Sequence, residues 1–109
     1  MDIRKLQNHL DVFATERDWT QYHNPKNLSI ALAVEASELQ EIFQWLTPEE
    51  SVDVKNNSVH AAEEIADIFI YLLRIADILE IDLEKAVTMK LEKNASKYPP
   101  DGSNTPRSL

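Results

Sequence analysis

The stretch HAAEEIADIFIYLLRIADIL, residues 60–79, contains neither glycine nor proline and reads as one long helix. At about 100° per residue, with Glu64 set at zero, Ile75 falls near +20°, Tyr71 near −20° and Ile68 near +40°. Glu64 therefore stands inside the apolar face, and Asp67 follows one turn later at its margin. The remaining apolar residues, Ile65, Phe69, Ile70, Leu72 and Leu73, cover nearly every other direction of the wheel. A helix that is apolar all round must be buried all round. Four short helices cannot do that in one copy of this chain, so the pattern predicts a dimer or a dimer of dimers with this helix at its centre.

The same arrangement occurs upstream. In LSIALAVEASELQEIFQWL, residues 28–46, Glu35 at zero has Leu28, Leu39 and Ile42 within about 40° of it, and Glu38 near −60°. Two helices thus carry a carboxylate within an apolar stripe and a second carboxylate three residues on.

Working outward, residues 2–18 repeat Ile3, Leu6, Leu10 and Phe13 at helical spacing, and Trp19 to Pro25 reads as a loop. The second helix is expected from Lys26 or Asn27 to Leu46. Thr47-Pro48-Glu49-Glu50 has the form of a capping box with proline at the first helical position. The third helix begins there or after a break near residues 56–58, and runs to about Ile81. Asp82 reads as the N-cap of a fourth helix from Leu83 to Lys97. No segment has the alternation of a strand, so the expected class is all-α, a four-helix bundle over residues 1–97 with a flexible tail over 98–109.

Composition removes several functions. The chain has 109 residues and no cysteine, which excludes disulfides and thiolate metal sites. Its single glycine, Gly102, excludes glycine-rich phosphate loops. A net charge of −8 offers no basic footprint for a nucleic acid polymer. No apolar run approaches a membrane span, and the amphipathic first residues do not read as a signal peptide, so a soluble cytoplasmic protein is expected. Residues 35–84 hold 13 acids and only two bases, Lys55 and Arg74.

Ionised carboxylates are rarely buried without a partner. Two neighbouring pairs repel, so either their pKa values rise or a cation compensates them. Lys55 and Arg74 are the local candidates for that role; a divalent ion is the more economical one. All-oxygen donors favour Mg²⁺ or Mn²⁺ over zinc. No Glu-x-x-His occurs, which argues against a di-iron bundle. The competing reading is two solvated helix faces, with Trp45 and Tyr71 as core or interface residues and Lys90, Lys93 and Lys97 as surface lysines.

Glu35-x-x-Glu38 followed by Glu64-x-x-Asp67 resembles the MazG-like all-α nucleoside triphosphate pyrophosphohydrolases. Residues 16–28, ERDWTQYHNPKNL, and Phe43-Gln44-Trp45 are similar to the dCTP pyrophosphatase branch, and the likeness extends over about residues 3–99. Val34 precedes Glu35, where many relatives double the first glutamate. The resemblance implies Mg²⁺ held by Glu35, Glu38, Glu64 and Asp67. It also implies hydrolysis of a nucleoside triphosphate between its α and β phosphates, with Trp19, His23, Trp45 and Tyr71 around the nucleotide and Lys90 and Asn94 as polar positions of the last helix. Glu38, at the stripe margin, is the expected proton acceptor. The family is oligomeric, with sites drawing on more than one chain. A dUTP or phosphoribosyl-ATP substrate, or a non-catalytic oligomer binding metal or a partner through its acidic pairs, are the alternatives.

Overall fold

The computed structural model describes residues 1–100, and within them the regular structure is entirely helical. The helices are α1 (Ile3–Glu16), α2 (Pro25–Phe43), α3 (Pro48–Ser51), α4 (Val54–Ile78) and α5 (Leu83–Lys97). Each starts at a side-chain cap. Asp2, Asn24, Thr47, Asp53 and Asp82 accept from the backbone N–H of Lys5, Asn27, Glu50, Asn56 and Lys85. Each cap satisfies one of the donors that a helix start leaves unpaired.

Several boundaries differ from the sequence reading, and α2 ends earlier, at Phe43 rather than Leu46. α2 starts at Pro25, because Asn24 caps it and proline at the first position needs no N–H partner. The break after the capping box lies at Val52 and Asp53, not near residues 56–58. Asp53 recaps the chain there, and its Oδ2 also accepts from Asn56 Nδ2 at 2.6 Å. The expected four helices are therefore four long ones plus the single turn of α3. α4 stops before Ile81, where Glu80 turns left-handed at φ 55°.

The chain divides into two units, Met1–Leu79 and the segment from Glu80 onward. In the first, α2 packs along α4, and α1 lies against α4. Leu73 is fully buried; Leu28, Ala14, Ala61 and Ala76 complete the core. Three of these five are alanines, which let the helices approach closely. Gln7, also buried, ties α1 to α4 by donating from Nε2 to the Leu73 carbonyl at 3.0 Å. Leu72, Ile65, Ile70 and Ile78 of α4 remain exposed.

In the second unit, α5 has no buried residue, and Val87, Met89 and Leu91 are exposed. Most of the expected tail, residues 101–109, lies outside the described residues. No described helix is long and apolar enough to cross a membrane.

Candidate functional site

The contact between α2 and α4 turns two sequence offsets into one cluster. Carboxylate oxygens of Glu35, Glu64 and Asp67 lie within 4.8 Å of one another. Glu35 and Glu64 are half-buried, and the Oε2 atom of each is buried without a hydrogen-bond partner. Glu38, one turn along α2, is half-buried and stands beside Glu35 and Glu64.

The crowding shows in the proton affinities. Glu35 is held above the ordinary carboxylate value of 4.5, chiefly by its contact with the Glu64 carboxyl, then by desolvation and the nearby charges of Asp67 and Glu64. Glu38 is raised as well, first by hydrogen bonding with Glu35 and by its charge. Tyr71, one turn beyond Asp67, is raised by burial and by the charges of Glu35 and Asp67, so its phenol belongs to the same neighbourhood.

These donors fit a hard divalent cation. Mg²⁺ holds oxygens at about 2.1 Å, so opposite ligands stand about 4.2 Å apart. Adjacent ligands stand closer, about 3 Å apart, so the three oxygens, all within 4.8 Å of one another, would draw together on an ion. Two buried oxygens without partners are the groups a cation would satisfy. Arg74 is not that cation. It is buried, and its Nη1 pairs with Asp11 of α1 at 3.3 Å.

A second group of side chains lies in the α1–α2 connection. α1 closes in a Schellman turn: Trp19 N–H donates to the Ala14 carbonyl at 2.9 Å and Asp18 N–H to that of Thr15 at 3.2 Å. Asp18 sits in the left-handed region at φ 57°. The Trp19 carbonyl then accepts from both Tyr22 N–H and His23 N–H, and Asn27 Nδ2 donates to the Tyr22 carbonyl. Trp19 meets Phe13 edge-on, with centroids 5.7 Å apart, and is tilted to His23 at 6.1 Å. His23 is half-buried, its Nδ1 has no partner, and burial followed by the Arg74 charge lowers its pKa from the usual 6.5.

The other sequence candidates are Trp45, after α2, and two residues of the second unit. Trp45 is 87% exposed just beyond α2, and the described aromatic ring pairs do not include it. Lys90 is exposed and Asn94 half-buried on α5; the Asn94 carbonyl accepts from Tyr98 N–H at 2.8 Å. The sequence reading places neither Phe13 nor Arg17 at a site, and offers the buried Arg74 only as a counter-charge to the acids. The i, i+4 spacing of Phe13 and Arg17 was the available signal for the first two. For Arg74 there was only its rarity in an acidic segment.

The MazG-like family model matches residues 30–106. dCTP pyrophosphatase 1 of Bos taurus is 45% identical over 101 residues, covering 90% of this chain and 58% of that protein. The Homo sapiens dCTP pyrophosphatase 1 is 43% identical over the same shares. The chain thus spans a little over half the length of the curated relatives it matches. The crystal structure of a pyrophosphatase from Archaeoglobus fulgidus DSM 4304 is 40% identical, with a TM-score of 0.85 over 91% of this chain and 94% of that one.

Proposed function

Since this chain belongs to the MazG-like family, we propose that it is a Mg²⁺-dependent nucleotide pyrophosphohydrolase. It would convert dCTP or another deoxynucleoside triphosphate to the monophosphate and pyrophosphate, clearing unwanted nucleotides from the cytoplasmic pool. The observation that carries this reading is the Glu35, Glu64 and Asp67 cluster with its two unpartnered buried oxygens. The names of the relatives support the nucleotide substrate.

Glu35, Glu38, Glu64 and Asp67 would hold the ion. Bound there, Mg²⁺ or Mn²⁺ supplies neutralisation of the triphosphate and acidification of a water. Glu38 accepts the proton that the attacking water loses as its oxygen joins phosphorus and the α–β anhydride bond breaks. The Tyr71 phenol, beside the carboxylates, hydrogen-bonds to the substrate. Trp19 stacks on the base, with His23 and Trp45 at its edges and Lys90 and Asn94 as further polar contacts.

The exposed Ile65, Ile70, Leu72 and Ile78 on α4 support assembly into a dimer or tetramer, since such residues along one helix are costly in water. Light scattering should therefore give at least twice the mass of one chain.

The deciding experiment is pyrophosphate release from a nucleotide panel with and without Mg²⁺, with products identified by phosphorus NMR. Release from dCTP only with the metal supports the reading. Preference for dUTP or phosphoribosyl-ATP would move the substrate within the superfamily. No release from any nucleotide, with Mg²⁺ still bound, would leave a non-catalytic metal-binding oligomer.

A further inference from the structure

Arg17 lies outside every role assigned above, yet three groups hold it. Its guanidinium carbon stands 3.5 Å from the centroid of the Phe13 ring, on the ring's face. Its Nη1 donates to the Phe13 carbonyl at 3.0 Å and lies 3.7 Å from the Glu16 carboxylate. A long, 41% exposed side chain is thereby kept from swinging in solvent. Phe13 in turn meets the Trp19 ring at 64°, while the Arg17 guanidinium is 6.0 Å from the Trp19 centroid.

We propose that Arg17 is a positioning residue for Trp19: stacked on Phe13, it fixes the ring against which the indole is set, and so fixes the plane that Trp19 offers to a nucleobase. The inference rests on the nucleotide reading of the site. Trp19 is 43% exposed, leaving part of the indole available for stacking. Its backbone is already held by the Schellman turn and by the two bonds to its carbonyl. Only its side-chain torsions remain, and Phe13 and His23 bound them from two directions. A ring ordered beforehand loses less freedom when a base stacks on it, so the benefit appears in affinity rather than in the chemical step.

The bland account is that Phe13 and Trp19 make the hydrophobic contact that often accompanies this helix ending. That account predicts loss of thermal stability when the contact is disturbed and no specific effect on nucleotide affinity.

The test uses Arg17→Met, Arg17→Lys and Phe13→Leu in the full chain. The protein has two tryptophans, so a Trp45→Phe background isolates Trp19 for time-resolved fluorescence anisotropy. Arg17→Met should add a fast component to the Trp19 decay, on the picosecond-to-nanosecond scale of side-chain motion. With Trp45 restored and Mg²⁺ saturating, KM for dCTP should rise about 2- to 10-fold, the range of an exposed cation–π or aromatic contact. Turnover should stay within about twofold, the thermal midpoint should hold, and inhibition by inorganic triphosphate should not change. Arg17→Lys, which keeps the charge but loses the flat stack, should fall between. Phe13→Leu should reproduce the Arg17→Met effect.

Unchanged Trp19 motion in both Arg17→Met and Phe13→Leu overturns the proposal, as does altered motion with unchanged KM. Parallel weakening of dCTP and inorganic triphosphate would make Arg17 a phosphate-attracting charge instead. A fall in thermal midpoint without a change in KM would assign it to the helix end. If the wild-type protein hydrolyses no nucleotide, the nucleotide reading fails, and the anisotropy arm still decides whether Arg17 holds the indole.

Discussion

The acidic cluster and the α1–α2 connection are built on opposite principles. The first places like charges together on two packed helices, where Glu35 and Glu64 face each other with buried oxygens unsatisfied. The second satisfies itself locally: a Schellman turn, an asparagine cap, a doubly used carbonyl and a cation over an aromatic face. One region is costly until a cation arrives, and rigid elements hold it in that state. The other is held by its own backbone bonds, with only the His23 Nδ1 left unpartnered, and presents a partly exposed indole. Phosphates are common to all nucleotides and bases are not. Under the function proposed above, the charged half would supply reactivity and the aromatic half discrimination.

The largest effect should come from the acidic half. Glu35→Gln or Glu64→Gln is expected to lower pyrophosphate release at saturating Mg²⁺ by at least about a hundredfold. Each substitution also removes a repelling charge, so the metal-free variants should melt no lower than the wild-type protein. Normal turnover in either variant would take the cluster out of the reaction.

Trp19→Ala tests the other half. Base stacking on an aromatic is worth about 1–3 kcal/mol, so KM should rise about five- to 150-fold with a much smaller change in kcat. Trp45→Ala should also act through KM, and its thermal midpoint should not move, because the ring is almost fully exposed. If both variants keep wild-type KM for every nucleotide, the base is bound elsewhere.

Acid sharpens the comparison without any substrate. Glu35 and Glu38 have raised pKa values in the folded chain, so the folded state binds protons more readily than the unfolded one. Metal-free stability should therefore rise as pH falls from neutral through the raised values toward the ordinary 4.5. Saturating Mg²⁺ should flatten that contribution. Denaturant midpoints in chelator and in Mg²⁺ across this range read the difference. His23 acts in the opposite sense: its lowered pKa makes its contribution to stability fall as pH drops through 6.5.

The smallest effect is expected at Arg74. Replacing a buried ion pair by apolar volume is often neutral or stabilising. Its partner Asp11 is 59% exposed and returns readily to water. Arg74→Met should thus leave the thermal midpoint unchanged or slightly raised, while the His23 resonance titrates closer to 6.5. A large loss of stability would mean that Arg74 holds α1 on α4 by more than this pair.

Much of this architecture was legible in the chain itself, because it depends on near neighbours. Helical periodicity placed Glu35, Glu38, Glu64 and Asp67 relative to their apolar stripes, and the Thr47 capping box and the Asp82 cap follow from contacts three residues apart. The same local chemistry was present at Asn24-Pro25 and at Asp53. There, competing signals, a proline after a loop and a run of polar residues, hid the true starts.

What required the tertiary structure is whatever joins distant segments. The wheel shows that Glu35 and Glu64 each lie within an apolar face, but only the packing of α2 on α4 brings their oxygens together and strips them of solvent. The destination of Arg74 was equally hidden. Composition pointed it toward the surrounding acids, whereas the fold pairs it with Asp11, 63 residues away. A side chain's neighbours along a helix follow from its spacing, while its neighbours across a helix pair depend on how two faces dock, which no single stretch of sequence contains.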